Sequence, residues 1–345
     1  MIKINKGITF SYKKKPIIIA EISGNHNGNK KKFLSLVKSA FANGADLVKI
    51  QTYEPKDITL NIKNKKFKIK EGIWKNQYLW DLYKKASTPF NWHAEAFKIA
   101  KKYDKILFSS PFSIRAVNFL ENFNVPLYKI SSFEITDHKL IKYISSKNKP
   151  IILSTGMASL KEIQDAIKII NGFHNKVIIL HCVSGYPTKL KDTNIGRINL
   201  LKKKFKKNLI GISDHTNSLI STIASIPLGI VAIEKHYKLD DKISTADSEF
   251  SIVPRDLKQI RKIVDDLDVS LNHKKKESVE ATSKKLRRSI FAIKNIKKGE
   301  IFNHNNIDTL RPSIGLSASK YFFVIGKKAK INIKTGMPIK KNYLQ

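Results

Sequence analysis

Two apolar segments of the sequence end in residues that can bind metal ions or transfer protons. They are "LIGISDHT", which has serine, aspartate and histidine before its last residue, and "AIEKHY", which contains glutamate, lysine and histidine. Because side chains alternate along a strand, Ser213 and His215 share one face, as do Glu234 and His236. If both faces point inward at neighbouring strand ends, the two imidazoles lie close together. The alternatives are a metal site, with Asp214 and Glu234 orienting the ligands, and two separate hydrogen-bonded histidines.

The two segments belong to a series of eight that are short, nearly continuously apolar and polar at the end. The series covers residues 16–23, 47–52, 106–111, 127–132, 150–156, 177–184, 209–216 and 229–237. Such segments are typical of parallel strands that are buried on both faces. Helical patterns alternate with them, so the sequence predicts an α/β fold, a (β/α)8 TIM barrel. An open doubly wound sheet is the alternative, but no G-x-G-x-x-G follows the first strand.

Two of the intervening helices have recognisable starting signals. Ser159 and Glu162 have the spacing of a capping box, and Gly172 marks the end of the same helix. Thr88 precedes Pro89 and is predicted as the N-cap of another helix.

The remaining strand ends also carry charged or hydroxyl side chains. These are Glu21, Lys49, Gln51, Ser110, Lys129, Ser131, Glu134, Ser154 and Ser184. Active sites of TIM barrels lie at the carboxyl ends of the strands, where these side chains would meet. Lysine is unusual inside an apolar strand, and lysines surrounded by hydroxyls form a cage for phosphate or carboxylate. The sequence therefore predicts a site for an anionic substrate.

The composition limits the class of protein. A formal net charge of +37 would suit a nucleic-acid partner, but the lysines are scattered and not interleaved with aromatic residues. We therefore expect a solvated basic surface and no nucleic-acid partner. No apolar segment is long enough for a membrane span or a signal peptide, and the single cysteine, Cys182, suits a reducing compartment. We expect a cytoplasmic protein without a membrane partner.

Read together, the strand ends and their flanks resemble the sialic acid synthase family. The matching segments, in order along the chain, are "AEISGNHNG", "GADLVKIQTY", "SSPF", "VPLYKISSFEI", "KPIILSTGMA", "CVSGYP", "GISDHT", "AIEKHY" and "DSEFSIVP". The resemblance implies condensation of phosphoenolpyruvate with the open-chain aldehyde of an N-acetylated amino sugar. The products would be a nine-carbon 2-keto acid and phosphate.

The resemblance also implies roles for individual residues. A divalent metal, Mn²⁺ or Mg²⁺, would be bound by His215 and His236. Substrate contacts would come from Lys49, Gln51, Ser110, Lys129, Ser132, Ser154, Ser184, Tyr186 and Ser213. Proton transfers and hydroxyl contacts would fall to Glu21, Glu134, Glu234 and Asp247. Tyr186 is equally interpretable as a structural tyrosine.

Several segments resemble the pseudaminic acid branch of the family more than the N-acetylneuraminate branch. They include "AEISGNHNG", "DLYKKASTPFNWH" and "CVSGYP". The implied acceptor is 2,4-diacetamido-2,4,6-trideoxy-L-altropyranose. One departure from the family is that residues 243–246 replace a usual glycine pair, which leaves the role of Asp247 open. Another is Ser313, where glycine is usual.

The end of the chain is predicted to form a separate unit. We expect a barrel domain over residues 1–271, a charged, turn-prone linker over 272–283, and a small strand-rich domain over 284–345. The last resembles the antifreeze-like (SAF) domain of these synthases, which in the family covers the partner's barrel in a domain-swapped homodimer. Arg311 would contact the sugar; alternatively, it forms a surface salt bridge.

Two other functions remain open from the sequence. The first is the same chemistry on another amino sugar, which would make the protein an N-acetylneuraminate or legionaminate synthase. The second is a non-catalytic protein whose basic surface binds polyanions.

Overall fold

Eight parallel strands of the chain close into the predicted barrel. Two short antiparallel strands, β1 (Ile2–Lys3) and β2 (Thr9–Phe10), precede it. The barrel strands are β3 (Ile17–Glu21), β4 (Leu47–Thr52), β5 (Ile106–Pro111), β6 (Tyr128–Ile130), β7 (Ile151–Ser154), β8 (Val177–Cys182), β9 (Leu209–Asp214) and β10 (Ala232–His236). They pair in sequence order, and β10 pairs with β3 to close the barrel.

The computed structural model describes residues 1–345 except residues 6, 243 and 273–276, together with the side chains of residues 272 and 277–279. The chain divides into a first unit, Met1–Leu271, and a second unit, Asn272–Gln345. In the described part of the chain, no helix combines the length and the apolar character needed to cross a membrane.

Helices follow the barrel strands. They are α1 (Lys30–Ala42), α2 (Leu79–Ala86), α3 (His93–Lys102), α4 (Ile114–Glu121), α5 (His138–Ser145), α6 (Leu160–Asn171), α7 (Arg197–Lys204), α8 (Ile220–Ser225) and α9 (Pro254–Asn272). The predicted capping box of α6 is confirmed, because Ser159 and Glu162 exchange hydrogen bonds. The prediction for Thr88 is wrong. Pro89 has an extended backbone with ψ of 134°, and α3 begins only after a 3-10 turn over Phe90–Trp92.

Alternation along the strands separates two faces of the barrel. One set of strand residues packs against the surrounding helices, among them Ile18, Val48, Ile130 and Ile233. The other set fills the amino-terminal half of the barrel interior together with Phe10 of the amino-terminal segment. Its members are Ile17, Ile19, Leu47, Ile106, Phe108, Leu127, Ile152, Ile178, Leu180, Leu209, Val231 and Ala232. This interior packing supports the polar side chains that follow along the same faces.

The second unit contains α10 (Glu277–Lys284), the antiparallel strands β11 (Ser289–Ala292) and β12 (Ile307–Leu310), and α11 (Tyr321–Val324). It has its own apolar core. The turn-prone linker predicted over 272–283 is helical from residue 277 onward, while residues 273–276 lie outside the described residues. Gly299 and Gly336 have φ of 86° and 84°, the left-handed values that tight turns require.

Candidate active site

The carboxyl ends of the barrel strands face a cavity of about 300 Å³. Most of the side chains predicted to form a site line this cavity. They are Lys49, Gln51, Lys129, Ser131, Ser132, Glu134, Ser154, Tyr186, Ser213, His215, Glu234, His236 and Asp247. The interior-facing alternation expected for Ser213 with His215, and for Glu234 with His236, is therefore present.

Buried, paired charged side chains form the floor of the cavity, which we call the lysine floor: Glu21, Lys49, Lys129 and Glu234. Lys49 Nζ lies 2.8 Å from Glu21 Oε2 and 3.4 Å from Glu234 Oε1. Lys129 Nζ donates to the same Glu234 oxygen at 2.8 Å, and the Ser213 hydroxyl donates to it at 3.1 Å. Charges in the low-dielectric interior require such partners, because an isolated ion there is costly.

The pKa values of these groups are shifted in opposite directions. Burial raises the pKa of Glu21 to about 7, in spite of Lys49. Burial also acts on Glu234, but Lys129 and Lys49 outweigh it and lower the pKa of that carboxyl to about 2. Burial lowers the pKa of Lys129 more than Glu234 raises it. With Glu21 protonated, the floor carries more positive than negative charge, which favours an anionic ligand.

The two histidines lie side by side with their ring centroids 5.3 Å apart. His215 Nδ1 lies 3.0 Å from the carbonyl oxygen of Val183 and donates a proton to it, which leaves the lone pair on Nε2 when the ring is neutral. Burial acts to lower the pKa of His215, but the Cys182 sulfur, 3.7 Å from Nδ1, and the Val183 carbonyl outweigh it and raise that pKa. His236 Nδ1 is buried without a hydrogen-bond partner and lies 4.0 Å from Asp247 Oδ2. Burial, with His215 and nearby lysines, holds the pKa of His236 well below its usual value, so its imidazole is neutral.

This arrangement fits a metal ligand pair. Metal binding requires neutral imidazoles with available lone pairs, and the buried Nδ1 of His236 has no other partner. The residues that the structure describes contain no cluster of three or more histidine, cysteine or acidic side chains with the geometry of a complete metal site. Water or substrate atoms would therefore have to supply the remaining ligands.

Two further carboxyl groups face the cavity. Burial raises the pKa of Glu134 to about 7, and the Ser131 hydroxyl hydrogen-bonds to it. Burial also raises the pKa of Asp247, whose Oδ2 accepts a hydrogen bond from the Gly24 N–H at 3.0 Å. Glu134 therefore titrates near neutrality and is suited to give or take a proton, and the raised pKa of Asp247 favours the same role.

Four predicted site residues do not line the cavity. Glu21 is fully buried and reaches it only through Lys49. The Ser110 hydroxyl donates to the Lys129 carbonyl at 3.2 Å, and Ser184 lies against Gly156. Arg311 is exposed in the second unit, so its contact with a sugar stays a prediction. Of the unusual 243–246 segment, residue 243 lies outside the described residues.

Asp214 is not placed to orient a histidine, contrary to one sequence-based interpretation. It points to the opposite face of β9, where Lys235 Nζ lies 3.0 Å from its carboxylate. Lys235 also donates to the carbonyl oxygens of Thr216 and Ser218, at 2.6 and 3.1 Å. This buried pair fixes the backbone that directly follows His215.

The sequence analysis missed an apolar side of the cavity. We call it the apolar wall: Ile58, Ile69, Leu79, Leu82, Ala86 and Phe112. Aromatic rings extend it, since the ring centroids of Trp74 and Tyr186 lie 5.5 Å apart. The indole N–H of Trp74 donates to the Ala246 carbonyl at 2.8 Å. The one local signal is the spacing of Leu79, Leu82 and Ala86 along one helix face.

A closed parallel barrel with buried lysines, carboxyl groups and paired histidines at the carboxyl ends of its strands defines a TIM-barrel protein with a charged cavity where active sites of this fold lie. The chain belongs to the NeuB family, whose model matches residues 36–276, and the SAF domain model matches residues 287–345. Both matches confirm the predicted family and its carboxyl-terminal domain.

Named relatives and a solved structure agree with this assignment. The chain is 41% identical to a pseudaminic acid synthase of Helicobacter pylori, over 94% of this chain and 96% of that one. It is 35% identical to an N,N'-diacetyllegionaminic acid synthase of Campylobacter jejuni, over 93% of this chain and 98% of that one. An N-acetylneuraminic acid synthetase structure from Leptospira borgpetersenii superposes with a TM-score of 0.70 at 27% identity, covering 81% of this chain and 95% of that one.

Proposed function

We propose that the protein is a pseudaminic acid synthase. It would condense phosphoenolpyruvate with 2,4-diacetamido-2,4,6-trideoxy-L-altropyranose and water, giving pseudaminic acid and phosphate. The observation that carries the proposal is the joint presence of the lysine floor and the histidine pair in one cavity, in a chain 41% identical to an enzyme of that name.

The lysine floor binds phosphoenolpyruvate. Lys49 and Lys129 attract its phosphate and carboxylate, and the hydroxyls of Ser132 and Ser154 donate to the remaining oxygens. The Ser213 hydroxyl, which donates to Glu234, would turn from that carboxylate to reach the substrate. The Gly156 N–H, which donates to the Ser132 hydroxyl at 3.0 Å, holds that serine in place. Holding the anion beside a second bound substrate removes much of the entropic barrier of a bimolecular step, which reaches about 7–11 kcal/mol.

Carbon 3 of phosphoenolpyruvate then attacks the aldehyde carbon of the sugar. The new carbon–carbon bond forms, the aldehyde oxygen gains a proton, and carbon 2 becomes electron-deficient. Water adds to carbon 2 and loses a proton, after which the carbon–oxygen bond to phosphate breaks as the new hydroxyl gives up its proton and becomes the 2-keto oxygen. Glu134 and Asp247, both raised in pKa and facing the cavity, exchange these protons.

His215 and His236 would hold a divalent cation, with Asp247 Oδ2 4.0 Å from His236 Nδ1. Mn²⁺ and Mg²⁺ are both compatible with water and carboxylate oxygens in the remaining positions. When bound, the cation polarises the aldehyde and makes its carbon more electrophilic.

The protein is a transferase of the cytoplasm. A second copy of the chain, in a domain-swapped dimer, contributes Arg311.

A legionaminate or N-acetylneuraminate synthase is the second candidate. The floor and the histidine pair serve the same bond-forming chemistry on any of these acceptors, and the 35% identity to a legionaminic acid synthase favours keeping it. The acceptor therefore decides between the two.

The test is phosphate release from phosphoenolpyruvate with Mn²⁺ and each acceptor supplied separately. We expect release with the trideoxy sugar, abolished by EDTA and by His236→Ala. Release with N-acetylmannosamine alone, or with a legionaminate precursor alone, would keep the reaction and replace the acceptor. Salt-sensitive binding of polyanions without phosphate release from any acceptor would contradict the enzyme proposal.

A further inference from the structure

The apolar wall is built by connections that follow the strands, whereas the lysine floor is built by the strands themselves. Leu79, Leu82 and Ala86 come from α2, which lies between β4 and β5. Phe112 directly follows β5. The wall therefore lies nearer the opening of the cavity than Lys49 and Lys129 do, and a molecule bound above the floor meets it.

Helix α2 presents one face to the cavity. Leu79, Leu82, Tyr83 and Ala86 recur at intervals of three or four residues, and all four line it. The hydrophobic residues of an amphipathic helix normally pack into a core. Here this face instead borders a space of about 300 Å³. Leu79 and Tyr83 are half-buried there and offer their surface to a ligand, whereas Leu82 and Ala86 are only 7% and 9% exposed.

The segment between β4 and α2 adds to the same surface and is held in position by the rest of the unit. Ile69 and Gln77 are joined by a backbone hydrogen bond of 2.9 Å, which closes this segment on itself. Trp74 anchors the segment through its bond to the Ala246 carbonyl, 172 residues further along the chain. Tyr53, at the start of the segment, packs against Phe112 with the two ring centroids 5.1 Å apart. The wall is a built surface and not the tip of a loose loop.

We propose that the apolar wall binds methyl groups of the acceptor and selects a sugar that is deoxygenated at carbon 6. This inference rests on the proposed function, because it concerns the acceptor of that reaction. A 6-deoxy diacetamido sugar presents a methyl group where N-acetylmannosamine carries a hydroxymethyl group. Against Leu79, Leu82 and Ile69 the methyl group is favourable, while a hydroxyl loses its water without gaining a partner.

The size of the effect is bounded by the chemistry of such a pocket. An apolar surface rejects an otherwise similar ligand that adds a hydroxyl by about 10²-fold, far less than a hydrogen-bonding site achieves. We therefore expect the wall to provide a preference of up to about 100-fold in kcat/KM. A larger preference would need polar groups elsewhere.

The test introduces a polar side chain into the wall and measures both substrates. Leu79→Gln is the main variant, because Leu79 is the first residue of α2 and is half-buried, and Leu82→Asn is the second. The matched control is Leu60→Gln, in the same connection but 62% exposed and absent from the cavity lining. For each protein we would measure kcat/KM for the trideoxy sugar and for N-acetylmannosamine, and KM for phosphoenolpyruvate.

We expect both wall variants to lose at least about tenfold in kcat/KM for the trideoxy sugar relative to N-acetylmannosamine. KM for phosphoenolpyruvate should stay at the wild-type value, since the floor is untouched, and Leu60→Gln should behave as wild type. An unchanged preference in Leu79→Gln, with wild type active on the trideoxy sugar, would overturn the role of the wall and leave the proposed function intact. Wild type inactive on the trideoxy sugar but active on N-acetylmannosamine would overturn both.

Discussion

Lys129 and Glu234 form an ion pair across the interior of the barrel. Nζ of Lys129 lies 2.8 Å from Oε1 of Glu234, and both side chains are only 2% exposed. Their strands, β6 and β10, are four positions apart in the ring of eight, so the pair links opposite sides of the barrel. The pair therefore couples the stability of the barrel to the charge of the cavity floor.

Removing one partner of this pair should destabilise the barrel. Lys129→Met leaves Glu234 buried with Lys49 as its remaining cation, and breaking a buried pair in this way costs about 3–5 kcal/mol. We expect a loss near 3 kcal/mol, since Lys49 still compensates in part. Urea unfolding followed by tryptophan fluorescence reports on the first unit, where all three tryptophans lie.

The control for this prediction is Lys161→Met. Lys161 pairs with Asp165 at 3.2 Å on the surface of α6, where the lysine side chain is 84% exposed. Exposed pairs contribute less than about 1 kcal/mol, so this variant should unfold near the wild-type urea concentration. Equal losses in the two variants would contradict the role assigned to burial.

The histidine pair should control metal binding. His215→Ala and His236→Ala each remove one of two imidazole donors, so Mn²⁺ affinity and phosphate release should fall by more than about 100-fold. Calorimetric titration with Mn²⁺ measures the affinity directly. His138→Ala, an exposed histidine at the start of α5, is the matched control and should bind Mn²⁺ as wild type does. Unaltered Mn²⁺ affinity in His236→Ala would place the metal elsewhere.

A side chain at position 156 should disturb the proposed anion site. A Cβ atom at this position would lie 2.9 Å from the Ser132 hydroxyl and would also collide with that of Ser184. We expect Gly156→Ala to raise KM for phosphoenolpyruvate about tenfold or more, through displaced hydroxyls, while the fold persists. Gly196→Ala is the control, since nothing lies within 4 Å of a Cβ there. A normal KM in Gly156→Ala would exclude these serines from the phosphoenolpyruvate site.

The stability of the protein should depend on the protonation of Glu134. Burial raises the pKa of this carboxyl to about 7 in the folded state, so the folded protein retains a proton that the unfolded chain releases near pH 4.5. Stability is therefore lost as pH rises from about 4.5 to about 7.

Glu134→Gln removes this titration. The variant should gain on the order of 1–3 kcal/mol in unfolding free energy relative to wild type as the pH rises from 4.5 to 8. Urea unfolding at a series of pH values measures the difference. A difference that stays constant with pH would contradict the raised pKa.

The strands and their polar ends were predictable because their signal is local. Eight apolar segments predicted the barrel. Alternation within "GISDHT" and "AIEKHY" predicted the inward faces of His215 and His236. The same alternation places Asp214 on the outer face, beside Lys235, and so excludes it as an orienting group.

The parts that the sequence did not predict depend on contacts between distant residues. Trp74 reaches the cavity through a hydrogen bond to Ala246, and no periodicity within either segment indicates that they meet. Glu21 ends a strand as expected, but its contact with Lys49 of the next strand, which separates it from the cavity, has no local signal. Thr88 has the local signature of an N-cap, yet the extended backbone of Pro89 delays the helix.

The packed lower half of the barrel has a kinetic consequence. Phe10, Ile19, Phe108 and their neighbours fill the interior beneath the lysines, so in the described part of the chain the cavity is closed from below. A molecule on the floor must therefore arrive before, and depart after, any molecule that occupies the space above it. Turnover would follow a fixed sequence in which phosphoenolpyruvate is the leading substrate and inorganic phosphate the final product. Phosphate would then inhibit competitively against phosphoenolpyruvate alone.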